Sequence, residues 1–281
     1  MSAARQGNAL FPLSNVHYME TWRQGSEQRR GELAVEMAFL SNFVTIAPAR
    51  ALWPREIEHA LHAQFGRPAE PSPIAPLGAG VAHAFDAAGG FGPDNSGLTR
   101  EQVFLAEWSI LAGLGSNRFP EEERGRHETA ERFAELETSR SRELRDWSTH
   151  ARDATQRFRI QALTDFRADY IPALITSGIE TEELDRLGAD GLEQLVRDTH
   201  TIYVITELRR IRYANPVQGF RPTDLNDLRA LAVAVVYGGI VMCDRAWADA
   251  LKRTDLPRRY GTTVCTSLPE AAAAVTSNQR E

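Results

Sequence analysis

The sequence predicts a helix-rich α/β protein in which a small parallel sheet is covered by helices. Two observations carry that class. Apolar residues recur at three- and four-residue steps through much of the 281-residue chain, the spacing of one helix face. Near the C-terminal end, two β-rich runs at residues 240–243 and 262–265 flank a helical stretch at 247–253. Apolar strands separated by a helix read as a parallel pair with helices packed on it.

Taken in order, residues 9–14 read as a short strand, and Ser14 or Asn15 can cap a helix over 16–22. A second helix is expected over 29–40, where Leu33, Met37 and Leu40 share a face, followed by an extended piece at 43–46. Pro54 opens the next helix, at a position where its missing N–H costs nothing, and Ile57, Leu61 and Phe65 carry it to Gly66. Residues 67–98 gather Pro68, Pro71, Pro73 and Pro76 and then a series of glycines, the composition of a long loop. A helix follows over 99–114, with Phe104, Leu105, Trp108 and Leu111. One or two long helices are expected over 121–170, where Phe133, Leu136, Leu144, Trp147, Ala151, Ala154 and Phe158 form an amphipathic stripe. That stripe packs on the body of the protein or, alternatively, serves as a lid or dimerisation arm. Helix is expected again over 182–214, broken near Gly188 and Gly191, and over 224–236 as a buried alanine- and leucine-rich segment.

Composition excludes several chemistries. Only one of the 32 basic residues is a lysine, Lys252; the rest are arginine. No phosphate-cradling loop with its invariant lysine exists, and Schiff-base chemistry would rest on Lys252 alone. Gly78-Ala79-Gly80 lacks the third glycine and the preceding strand of a dinucleotide loop. The two cysteines, Cys243 and Cys265, sit in apolar runs without metal-ligand spacing and read as buried free thiols. With no secretory leader and no apolar run of spanning length, the chain reads as a soluble, reduced, cytoplasmic protein.

Carboxylates therefore remain as the candidate reactive groups. Asp224 and Asp227 are three apart, on one helix face, and Asp244 ends the strand run 240–243. A parallel strand beside that helix can bring Asp227 and Asp244 together at the strand end, where open sheets bind ligands. Clustered carboxylates repel one another unless a cation lies between them, and oxygen donors suit Mg²⁺ or Mn²⁺. Helix capping is the alternative for Asp224, Asp227 and Asp244 alike. A second constellation is Ser14, His17 and Glu20, with His17 and Glu20 on one helix face. The chain is acidic overall, with net charge −6, yet residues 201–260 carry ten bases against six acids. Arg209, Arg210, Arg212, Arg221 and Arg245 flank the Asp-rich segment, and a guanidinium fork suits phosphate. A solvated helix face is the alternative.

Phe11-Pro12-Leu13-Ser14-Asn15-Val16-His17-Tyr18-Met19-Glu20-Thr21, the Asn226-Asp227-Leu228 helix start, the glycine turn Gly238-Gly239 and the aliphatic run ending in Asp244 together resemble the PIN-domain metal-dependent nucleases, in particular long bacterial PIN-like proteins. The likeness covers about residues 9–66 and 200–268 and implies a PIN-like parallel sheet covered by helices. Residues 1–66 and 200–281 would form the domain, with 67–199 as a mostly helical insertion. It implies Glu20, Asp227 and Asp244 as catalytic acids, with Asp224 as a fourth metal ligand and Ser14 and His17 in support. Mg²⁺ or Mn²⁺ would be the cofactor, RNA the substrate, and an antitoxin or other protein a partner in a toxin or phage-defence setting. Two positions depart from the family. No acid precedes the Ser14–Glu20 segment, so that the chain start lacks one strand or the site is incomplete, and Gly239 stands where relatives carry Asp. The expected activity is an Mg²⁺- or Mn²⁺-dependent endoribonuclease. A catalytically impaired RNA- or protein-binding module and a helical protein that homodimerises through 121–170 are the rival expectations.

Overall fold

A computed structural model describes residues 9–87, 97–114, 120–145, 151–214 and 219–278, without the side chains of 120–127, 142–145 and 151–153. The expected absence of a first strand before residue 9, and Leu144, Trp147 and Ala151 of the stripe, lie outside what is described. The chain divides into two compact units: unit 1 comprises residues 1–48, 75–125 and 272–281, and unit 2 comprises 49–74 and 126–271. These bounds cut across the expected segments 1–66, 67–199 and 200–281, because the helix at 49–65 is bonded to residues far along the chain in unit 2.

Unit 1 starts at Leu13, whose neighbour Ser14 caps α1 (Asn15–Trp22). The Ser14 N–H donates to His17 Nδ1 at 3.0 Å, and the His17 N–H returns a bond to the Ser14 carbonyl. α2 (Glu27–Ser41) begins at the Ser26 cap and stops at Asn42 in the left-handed region. β1 (Val44–Ile46) pairs antiparallel with β2 (Leu77–Ala79). On its other side Leu13 alone pairs with it, in parallel, through bonds to Val44 and Ile46 of 2.9 Å each. The strand expected at 9–14 is thus a single bridge. β2 and α4 (Gly80–Phe85) fall in the stretch expected as loop. Three-residue strands arise from their pairing partner more than from local propensity, so composition hid them. α5 (Arg100–Leu111) also belongs to this unit.

The core of unit 1 gathers Leu13, Tyr18, Phe43, Val81 and Leu111 around Ala34 and Ala38, whose small side chains let α2 approach closely. Trp22 stacks on Phe85 at 5.7 Å. Buried Glu107 of α5 accepts the Val81 N–H at 2.9 Å. Gly80 makes that contact feasible: its φ is +75°, and a Cβ there would lie 2.3 Å from Glu107 Oε1.

Unit 2 is built from α3 (Ala49–Phe65), α6 (Pro120–Arg145), α7 (Ala151–Asp165), α8 (Arg167–Thr176), α9 (Thr181–Asp198), α10 (His200–Tyr213) and α11 (Asp224–Tyr237). β3 (Ile240–Met242), α12 (Arg245–Lys252), α13 (Leu256–Tyr260) and β4 (Thr263–Cys265) follow, and α14 (Leu268–Asn278) begins in unit 2 and ends among the residues of unit 1. β3 and β4 pair in parallel, with Val241 opposite Val264, as expected. α3 begins five residues before Pro54, because Ala49, Leu52 and Trp53 are buried and extend the helix upstream. α9 bends at Gly188, where φ is 61°, and the chain breaks again at Thr199 rather than Gly191. Phe133 meets Phe220, and Phe158 meets Tyr213, so this part of the stripe faces its own unit. Among the described residues no helix is long and apolar enough to cross a membrane.

α10 is buried almost along its whole length, charged residues included. Arg209 grips Glu137 of α6 with two bonds of 2.7 Å and reaches Asp165 of α7 at 2.9 Å. Arg140 holds the same Asp165 with a second fork, at 2.8 and 2.6 Å, and the Tyr213 hydroxyl donates to Glu137. On the same helix, buried Glu207 takes Arg159 of α7 at 2.8 Å and Arg210 at 2.8 Å. Arg159 also reaches Glu193 of α9 at 2.5 Å. Fully buried Glu56 of α3 accepts from the Thr201 N–H at 2.8 Å, the Thr201 hydroxyl at 2.7 Å and the Tyr237 hydroxyl at 2.7 Å.

Two measurements follow from these buried charges. Arg209→Met leaves Glu137 and Asp165 without their shared cation and lowers the unfolding free energy by about 3–5 kcal/mol in urea titrations. Arg209→Met combined with Glu137→Leu recovers part of that loss, because it removes one stranded carboxylate. In unit 1, burial raises the Glu107 carboxyl above its ordinary value, against the opposing bond from Val81. A raised folded value contributes stability at low pH that is lost as pH climbs through it. The stability of the wild type relative to Glu107→Gln therefore falls as pH rises above the ordinary carboxylate range, read from paired denaturation curves; parallel curves would contradict this.

Candidate functional site

Near the carboxyl end of β3, Asp227 and Asp244 each accept a bond from Trp247, and Asp224 is linked to the same tryptophan through Arg212. α11 starts at Asp224, which is buried; its Oδ2 accepts from Arg212 Nη2 and from the Arg221 N–H, each at 2.8 Å. One turn on, half-buried Asp227 accepts the indole N–H of Trp247 at 3.3 Å. Asp244 follows β3 and caps α12, its Oδ1 accepting the Trp247 backbone N–H at 2.8 Å. Buried Trp247 thus binds both acids, one through its ring and one through its amide. Arg212 lies 4.9 Å above the Trp247 ring, so the same guanidinium steadies Asp224 and the tryptophan. Asp244 is exposed, and capping engages only its Oδ1 among the described residues.

The two thiols lie at this same end, one at the close of β4 and the other just past β3. The Cys243 N–H donates to the Cys265 carbonyl at 3.1 Å. Burial, then the negative charge of Asp244, pushes the Cys243 thiol up to about 11, with Lys252 pulling the other way and Asp227 adding to the rise. Burial and Glu270 raise the Cys265 thiol, and Lys252 again opposes. Both sulfurs are therefore protonated at neutral pH and are poor soft-metal ligands. The oxygen donors nearby are the carboxylates of Asp227 and Asp244. Among the described residues no group of three or more His, Cys, Asp or Glu side chains is arranged to hold a metal.

The other candidates are placed as follows. Glu20 is exposed on α1 in unit 1 and pairs with Arg23 at 2.8 Å, while Ser14 and His17 form the reciprocal cap of that helix. Arg209 and Arg212 are buried and hold carboxylates within unit 2. Arg210 holds Glu207 and is partly exposed, and Arg221 and Arg245 are exposed. Trp247 went unrecognised in the sequence although a signal existed. It stands three residues after Asp244, where a helix amide turns toward a capping carboxylate. The Arg212–Asp224 pair joins two helices from positions twelve residues apart, and spacing alone did not reveal it.

No family model matches the chain, and the searches of curated proteins and of solved structures found no match either.

The environment of Cys243 can be read directly. Its alkylation by iodoacetamide, followed by peptide mass spectrometry, keeps rising about tenfold per pH unit through pH 9.5, without the plateau near 8.5 of an ordinary thiol. Asp244→Asn removes a negative neighbour, lowers the thiol value and speeds the reaction at each pH. A plateau below pH 9 in the wild type would contradict the arrangement.

Proposed function

We propose that the chain is a PIN-like, Mg²⁺- or Mn²⁺-dependent ribonuclease whose cation is held by Asp227 and Asp244 at the carboxyl end of β3. The observation that carries this reading is Trp247, which binds both acids beside a parallel strand end. Parallel sheets place their ligands at that end, outside the strands. The parallel pairing of β3 with β4 supports this reading, while the strands of unit 1 form a separate antiparallel pair. Glu20 enters only through the sequence resemblance.

The cation, when bound, would lower the pKa of a water and neutralise charge on the phosphate. The residues of the chain have separate tasks. Asp244 presents its uncapped oxygen to solvent, and Asp227 is oriented by the indole N–H. Asp224 stays with Arg212 and holds the start of α11 in place. Arg210, Arg221 and Arg245 are the arginines left to meet phosphate, with Arg209 and Arg212 held inside. A second reading, a PIN-like module that binds RNA or a protein without cutting, is favoured by the lack of a three-ligand group among the described residues.

Calorimetry with Mn²⁺ and cleavage of a broad RNA panel separate the two. The nuclease reading expects Mn²⁺ binding that weakens at least tenfold in Asp227→Asn or Asp244→Asn, and cleavage that both variants abolish. RNA retained without cleavage, with no heat of Mn²⁺ binding, favours the binding module. No metal binding, no RNA binding and no cleavage would overturn both.

A further inference from the structure

We propose that the guanidiniums gathered around Tyr203 in unit 2 form a binding site for a phosphate group, one that shares no residue with the Asp227–Asp244 end of β3. Arg159 of α7, Arg197 of α9 and Arg259 of α13 each place the guanidinium carbon over the Tyr203 ring of α10, at 5.6, 5.5 and 5.1 Å from its centre. A ring has two faces, so at least two of the three cations share one. The ring attracts each of them, but like charges so close repel. The carboxylates of the chain fall short of balancing them. Glu207 takes Arg159 and Arg210, and Glu193 takes Arg159 at 2.5 Å and Arg197 at 3.6 Å. Asp255 is the third acid whose charge reaches Tyr203. Four guanidiniums thus face three carboxylates. Among the described residues Arg259 has no ion-pair partner; its Nη2 donates to the Arg197 carbonyl at 3.0 Å.

Two donors of this cluster are buried and unmet. Among the described residues neither the Tyr203 hydroxyl nor Arg197 Nε makes a hydrogen bond, and Tyr203 is wholly buried. Buried polar groups are nearly always bonded, and an orphaned one points to a missing partner such as an ion. Burial and then the charge of Glu207 raise the Tyr203 pKa, with Asp255 adding and Arg159 and Arg197 opposing. The hydroxyl is therefore a donor at neutral pH. A surplus cation together with unmet N–H and O–H donors selects an oxyanion, and a guanidinium fork matches phosphate in particular. Arg259 is the way in. It is exposed and lies over both Tyr203 and Tyr260. Swinging its side chain aside bares the hydroxyl, and its return closes the fork on the bound anion.

The test is calorimetry of the whole chain with inorganic phosphate, in EDTA and at constant ionic strength. Tyr203→Phe keeps the ring and removes only the unmet hydroxyl, and Arg259→Gln removes an exposed charge. Both should fold as the wild type does, by circular dichroism, and bind phosphate at least fivefold more weakly. Arg258→Gln makes the same change of charge one residue away, at an exposed arginine that lies over no ring among the described residues. It should alter Kd less than twofold. A 5′-phosphorylated oligoribonucleotide and its unphosphorylated twin then identify the source of the phosphate. A gain from the 5′-phosphate that Tyr203→Phe abolishes assigns the site to the end of an RNA chain. Binding of inorganic phosphate with no such gain assigns it to a free anion. The proposal is overturned if neither inorganic phosphate nor the 5′-phosphate is bound, if Tyr203→Phe binds as tightly as the wild type, or if Arg258→Gln costs as much as Arg259→Gln, the mark of diffuse charge. Because EDTA is present throughout, failure here leaves the metal-dependent reading intact.

Discussion

A guanidinium carried into an apolar interior must be met by carboxylates, and that requirement organises unit 2. α10 brings Arg209 inside, and a buried charge without partners costs several kcal/mol. Glu137 and Asp165 answer it from two other helices. Glu137 has no other cation among the described ion pairs and Asp165 has only Arg140 besides, so α6, α7 and α10 are bound by mutual need. Apolar contacts between helices allow several sliding registers; a bidentate fork allows few. Glu207 repeats the device on the same helix with Arg159, which extends it to Glu193 on α9.

The candidate site hangs from the same helix. Arg212 follows Arg209 by three residues, so a helix that fixes one also fixes the other. From Arg212 the contacts run to Asp224 and across the face of Trp247. Trp247 in turn holds Asp227 and Asp244. The position of both acids thus depends on a helix whose own position depends on buried ion pairs. Disturbing the interior charges should loosen the site as well as the fold.

What the sequence disclosed, and what it withheld, follows from the range of the forces involved. The parallel pair β3–β4 was legible because aliphatic runs around a helix leave a local pattern. The placement of Asp227 in the first turn of a helix and of Asp244 just after a strand was legible as well, since both follow from local pattern. Most long helices were readable from periodicity. β2 and α4 were not, because Pro- and Gly-rich composition reads as loop and only the partner strand β1 makes Leu77–Ala79 a strand. The roles of the arginines were hidden for a similar reason. Clustered arginine looks like a phosphate-binding surface, and nothing local distinguishes it from arginine turned inward to carboxylates 72 and 44 residues away, as Arg209 is. The capping residues Ser14 and His17 were seen, but as possible support for a site rather than as each other's partners.

Two carboxylates make a weak cage for a divalent cation, and that weakness bears on how the proposed site would work. Mg²⁺ commonly keeps several waters and takes one or two carboxylates together with phosphate oxygens of the substrate. Asp227 and Asp244 would then hold the ion firmly only once a phosphate joined them. Coupling of this kind is reciprocal: the anion raises affinity for the cation as much as the cation raises affinity for the anion. Of the flanking arginines, Arg221 and Arg245 are exposed and Arg210 is partly so, and such groups can draw a phosphate in without a metal already present. Weak binding of Mn²⁺ by the protein alone, sharpened by RNA, is thus what a two-acid site predicts. A module that only binds RNA would have no reason to show that reciprocity, because its affinity for the phosphate backbone would rest on arginine and not on the acids.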